Sequence, residues 1–242
     1  MGLTIHYKLS VKKKISSAAA RGLVERAARH AKEIGCAEVG EIIRVEPDFP
    51  FTSLFVRAGK AEDCCFGDVP ARDGWLVDVC PGNGCESVLL ALCQYPREIP
   101  FRGETLATGY TGGWLFHGHC KTQFAAEHGW EHFLRCHKAV VTILEFCQQI
   151  GFAMEVTDEG GYWETRSEEK LCSALRRYDG FVAAVGGMLK DQPSDSGKGL
   201  AVESPIFDHA NFERLEHEGR LEFGGQVEQL RKESGRGLFK ND

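Results

Sequence analysis

Residues able to carry chemistry gather in three short segments of this 242-residue chain. The first is His117-Gly118-His119-Cys120-Lys121-Thr122-Gln123, which stands just before a long helix predicted over 122–149. A thiol at a helix N-terminus feels the positive end of the dipole, and that favours the thiolate. Lys121 would add to this effect, His117 or His119 could serve as base, and the Gln123 amide could donate to an oxyanion. Such a set describes a cysteine nucleophile for acyl transfer, with His209 and Asn211 as groups arriving later in the chain. The signatures that surround nucleophilic cysteines are absent, however. Cys120 is one of ten cysteines, and a buried thiol ordinarily acts as a small hydrophobe.

The second segment runs from Glu127 to His137, EHGWEHFLRCH. His128, His132 and Cys136 fall at i, i+4 and i+8 on one flank of the predicted helix, and two ligands four apart can chelate zinc. The order is His128-Gly-Trp-Glu131-His132, which is not the metalloprotease motif. Three ligands on one straight helix span roughly 12 Å, too far for one ion. A zinc site would therefore need two of these three plus His117, His119 or an acidic residue from elsewhere. His137 lies on the apolar face and reads as a hydrogen-bonded core histidine.

The third segment is VTDEGGYWETR at 156–166, a turn between a predicted strand and a helix. Asp158 and Glu159 could work as acid and base or hold a cation, since sheet edges are where such folds build ligand sites. Tyr162, Trp163, Glu164 and Arg166 follow as ligand-binding candidates, together with Lys121 and Thr122 of the first segment. Trp163 also suits a plug in the core. If the strands before 118 and before 157 are neighbours joined by the long helix, the first and third segments meet at one sheet edge.

No motif here reaches the specificity of a known catalyst. The leading expectation is therefore a domain that binds a small molecule or a protein through a polar edge formed by 117–123 and 158–166. A Cys120-dependent hydrolase or acyl transferase and a zinc-dependent hydrolase are the alternatives. The net charge of −6 disfavours broad nucleic-acid binding, and no apolar run is long enough for a membrane span. The start, MGLTIHYKLSVKKK, lacks the apolar region of a secretory signal, so cytoplasmic localisation with reduced thiols is expected.

The elements that must position these residues read as follows. Alternation predicts a strand over 3–12, and Ser16 or Ser17 caps a helix to Ile34 whose stripe is Ala20, Val24, Ala27 and Ala31. A second strand is expected at 37–46. Residues 75–80 and 87–93 form a hairpin around the Asn83-Gly84 turn. An exposed loop over 97–113, strands at 114–117 and 152–156, and a helix over 167–190 complete the main pattern. The hairpin makes the class α+β: a mixed, largely antiparallel sheet with helices mainly on one face and β-α-β units within it. Residues 1–199 would form the core domain, with pseudo-duplicated halves at 1–96 and 110–190. A strand near 200–207, a helix near 210–218 and a frayed tail would make up 200–242.

Overall fold

The computed structural model describes residues 3–11, 13–47, 49, 54, 56–60, 65–190, 205–209 and 211–237. Its strands are β1 (Thr4–Ser10), β2 (Glu38–Val39), β3 (Ile43–Val45), β4 (Val56–Lys60), β5 (Cys65–Val69), β6 (Asp73–Cys80), β7 (Val88–Gln94), β8 (Glu98–Phe101), β9 (Glu104–Ala107), β10 (Leu115–Lys121) and β11 (Ala153–Asp158). Its helices are α1 (Ser17–Glu33), α2 (Trp130–Gln149), the single turn α3 (Tyr162–Thr165), α4 (Glu168–Lys190) and α5 (Phe212–Gly237). The fold is α+β. Two compact units divide it, one comprising Thr4–Arg166 and the other joining Leu3 to the described residues from Ser167 onward.

The first unit is built on a seven-stranded sheet in the order β11-β1-β10-β7-β6-β2, with β3 also paired to β6. All its pairings are antiparallel. Alternation along β1 explains why one face is a core: Ile5, Tyr7 and Leu9 are buried, while His6 is exposed and Lys8 and Ser10 are half-buried. The buried face of α1 (Ala20, Val24, Ala27, Ala31) is the predicted stripe, and Ser16 Oγ caps the helix by accepting from Ala19 N. Trp75 Nε1 donates to Ser17 Oγ at 2.9 Å, which fastens α1 to the core face of β6. The opposite face carries His6, Lys8, His117, His119 and Glu155 in neighbouring registers.

Several expectations change. The β1-α1-β2 stretch is not a unit of adjacent strands, because β2 lies at the far end of the sheet from β1. β10 and β11 both run antiparallel to β1, which lies between them, so they are parallel to each other but not neighbours. That split arrangement still brings their C-terminal ends to one edge: Ile5 pairs with Cys120 on one side and with Asp158 on the other. β1, from the first of the two proposed halves, is thus flanked by strands of the second. The expected loop at 97–113 contains the hairpin β8–β9. Residues 123–128 form a 3-10 turn, and the α-helix begins only at Trp130. Gly129 separates them with φ 91, a conformation that side chains with a Cβ resist.

In the second unit α4 packs along α5. Ala184, Met188, Phe223 and Val227 form its core. A Cβ at Gly219 would meet the Gly180 carbonyl, so the two backbones touch where both residues are glycine. The expected strand at 200–207 lies largely outside the described residues; Pro205–Asp208 is a 3-10 turn.

Candidate functional site

β7 and β10 pair directly at one position, and beyond it a tyrosine bridges them. They pair at Leu115–Cys93, and further along the Tyr7 side chain crosses over Gly118. A Cβ at Gly118 would lie 2.5 Å from the Tyr7 ring, so glycine is required there. The Tyr7 hydroxyl then donates to Leu89 O at 2.9 Å, in a place where a strand amide would otherwise stand. Burial pushes the Tyr7 phenol well above its usual range, with the nearby Cys120 and Cys147 thiols adding to it. It is a permanent donor.

The sheet face away from α1 carries a groove of about 480 Å³. Leu76, Leu89 and Phe116 give it apolar surface, His117 and His119 stand on the β10 side, and Asp78 of β6 and Glu86 of the turn before β7 also line it. Burial, followed by the Lys8 ammonium, lowers the His117 pKa against the pull of Glu155. The imidazole is therefore neutral at pH 7 and able both to donate and to accept. At the groove's end Lys121 N donates to Glu86 Oε2 at 2.9 Å, and Lys121 Nζ lies 3.5 Å from Glu86 Oε1. His6 sits beside His119, with ring centroids 6.2 Å apart, and its Nε2 is 3.7 Å from Glu159 Oε1.

The remaining candidates sort by face. Asp158 turns inward and Glu159 outward, so the adjacent acids do not form a pair. Asp158 Oδ2 accepts from His137 Nε2 at 3.1 Å and from Trp163 N at 2.9 Å, while Oδ1 accepts from Gly160 N at 2.8 Å. On the other side of the ring, the Thr122 hydroxyl donates to His137 Nδ1 at 2.8 Å. Burial would raise the Asp158 pKa, but the His137 contact and the two amides outweigh it and hold the carboxyl below its usual value. Hydroxyl, imidazole and carboxylate in this order resemble an activated nucleophile, yet Thr122 and His137 are both 0% exposed. The trio closes the core. His137 was legible as a core histidine, but nothing in the sequence named its partners.

Cys120 is 0% exposed and lies in β10, not at a helix N-terminus, so no helix dipole favours its thiolate. Its thiol donates to Glu86 O at 3.1 Å. Gln123 is buried as well. His209 and Asn211 belong to the second unit. Tyr162 is buried and Trp163 half-buried; the Arg166 guanidinium stacks on the Trp163 ring at 4.9 Å and pairs with Glu145. Glu164 is exposed. The aromatic candidates thus serve the turn that carries Asp158.

The zinc reading is corrected too. Among the described residues no group of three or more histidine, cysteine, aspartate or glutamate side chains is placed to hold a metal ion. His117 and His119 occupy the groove face, whereas His132 sits at the β6–β7 turn. His132 Nε2 donates to Asn83 O at 2.8 Å and Nδ1 accepts from Arg135 at 2.7 Å, so neither nitrogen offers a lone pair. His128 packs edge-on against His132, with centroids 5.1 Å apart. No described helix is long and apolar enough to cross a membrane. Comparisons with protein-family models, with curated proteins and with solved structures returned no match.

Proposed function

We propose that the Thr4–Arg166 unit binds a small organic molecule in the groove between β7 and β10, an apolar body lying on Leu76 and Leu89 and a polar head meeting His117 and His119. One observation carries this reading: a groove of about 480 Å³ on the sheet face away from α1, with apolar surface at Leu76 and Leu89 and histidines on one wall. Its size fits the few-hundred-Å³ range of small-molecule sites. Of the polar edge expected from the sequence, the 117–121 portion lines or borders the groove, while 158–166 supports the strand ends beside it. A thiol-hydrolase reading has less behind it, since Cys120 is enclosed.

The test is ligand-observed NMR with a fragment library of aromatic carboxylates and alcohols on the full chain. Binders should lose their signal with Leu89→Trp, which fills the groove without touching the Leu89 carbonyl. They should weaken about tenfold with His117→Leu, the loss of one desolvated hydrogen bond. Binding that survives Leu89→Trp unchanged would place the site elsewhere.

A further inference from the structure

Around the β6–β7 turn, thiols cluster in a way that the groove does not use. Cys85 Sγ lies 3.7 Å from Cys120 Sγ and 3.9 Å from Lys121 O. Cys136 sits 3.4 Å from His132 Nε2 and interacts electrostatically with Cys85. The backbones bearing Cys85 and Cys120 are tied together independently of the sulfurs, by Glu86 N donating to Lys121 O at 3.2 Å and by Lys121 N donating to Glu86 Oε2. Cys85 follows Gly84, whose φ is 74, at the end of a turn closed by Cys85 N donating to Gly82 O. A side-chain rotation of Cys85 has little backbone to disturb. Exposure differs across the pair: Cys85 is half-buried and Cys120 fully buried.

We propose that Cys85 and Cys120 are a redox-active dithiol, forming a reversible disulfide by exchange with a low-molecular-weight disulfide. The order of events follows from access. The Cys85 thiolate attacks one sulfur of the external disulfide, forming a mixed disulfide and expelling one external thiolate, which takes up the proton lost by Cys85. Cys120, already in van der Waals contact, loses its proton and attacks Cys85 Sγ, expelling the second external thiolate, which takes up that proton. Two protein thiols are oxidised, one external disulfide is reduced to two thiols, and one S–S bond of about 2.05 Å replaces the 3.7 Å contact. The Cys120 thiol hydrogen bond to Glu86 O is lost in the product, and the β6–β7 turn becomes covalently fastened to the end of β10.

The Cys85 thiol is pushed above the usual cysteine range, first by its hydrogen bond with Cys120 and further by burial, against a lowering contact from Cys136. Attack is therefore slow at neutral pH and should accelerate steadily as pH rises, because only the thiolate reacts.

The reduced full-length protein is incubated with oxidised glutathione, blocked with N-ethylmaleimide and digested with trypsin for mass spectrometry. The expected product is peptide 73–97 joined to peptide 103–121. This link should persist in Cys80→Ser and Cys93→Ala and vanish in Cys85→Ser, a half-buried position whose change leaves the core intact. Circular dichroism before digestion confirms that each protein reacted in its folded state. Glutathione retained on Cys85 without an internal link would overturn the proposal. So would a link from peptide 73–97 to peptide 136–138, which would assign the partner to Cys136, or no reaction in the folded wild-type chain.

Discussion

His137 joins two segments distant in sequence, accepting from Thr122 and donating to Asp158 inside the core. Its replacement removes one hydrogen bond from a buried hydroxyl and one from a buried carboxylate, and a bond to an ionised buried group is among the stronger ones. His137→Phe, which keeps most of the volume, should therefore destabilise by about 2–4 kcal/mol in urea unfolding. A loss below about 1 kcal/mol would mean the network contributes little. The pH response has a definite sign. Asp158 is held below 3.8, its ordinary value, so its contribution is fully present above that pH and disappears as pH falls through the folded pKa. In His137→Phe this acid-side loss should shrink. Sequence reasoning could list Thr122, His137 and Asp158 separately, but their union depends on β1 holding β10 and β11 apart at the right register, a long-range fact.

At the scale of elements, the pairing of strands decided what periodicity left open. α1 and β1 were legible because their apolar spacing is regular and a serine cap marks the helix start. The β6–β7 hairpin was legible from Asn83-Gly84. β10 was legible only as far as 117: GHCK has a glycine and an exposed histidine, and pairing with Thr4–Tyr7 extends the strand to Lys121. That extension moved Cys120 from a helix start into a sheet. Gly118, an ordinary weak point for a strand, is the residue that admits Tyr7. Gly118→Ala should force the Tyr7 ring off its position, because the new Cβ would lie 2.5 Å from it. A cost of about 1–3 kcal/mol is expected from overpacking. Tyr7→Phe should cost about 1–2 kcal/mol by leaving Leu89 O unpaired. In thermal unfolding the double variant should be less destabilised than the two single effects combined, because Gly118→Ala also disturbs the bond that Tyr7→Phe removes. Simple additivity would show that Gly118 and Tyr7 act separately.

The whole molecule is two units with different physical chemistry. All four tryptophans lie in the Thr4–Arg166 unit, so their fluorescence reports that unit, while α4 and α5 contribute much of the helical circular dichroism. The helix near 210–218 in the sequence reading extends over Phe212–Gly237, because tertiary packing along α4 overrides a glycine-containing, strongly charged stretch. The close approach at Gly180 and Gly219 could not be foreseen from either helix alone. Within this unit the Asp179 pKa is raised to about 6, by burial and against the lowering influence of His209. Here the linkage runs opposite to that of Asp158. A carboxyl whose folded pKa is raised is most favourable below its unfolded value, and stability is lost as pH rises through about 6. Asp179→Asn, which cannot ionise, should raise the thermal midpoint of the helical signal at pH 7.5–8 and change it little near pH 4. The tryptophan transition should stay where it is at both. An equal gain at both pH values would assign the effect to packing or hydrogen bonding of the amide, and a shift of the tryptophan transition would mean that the two units unfold together.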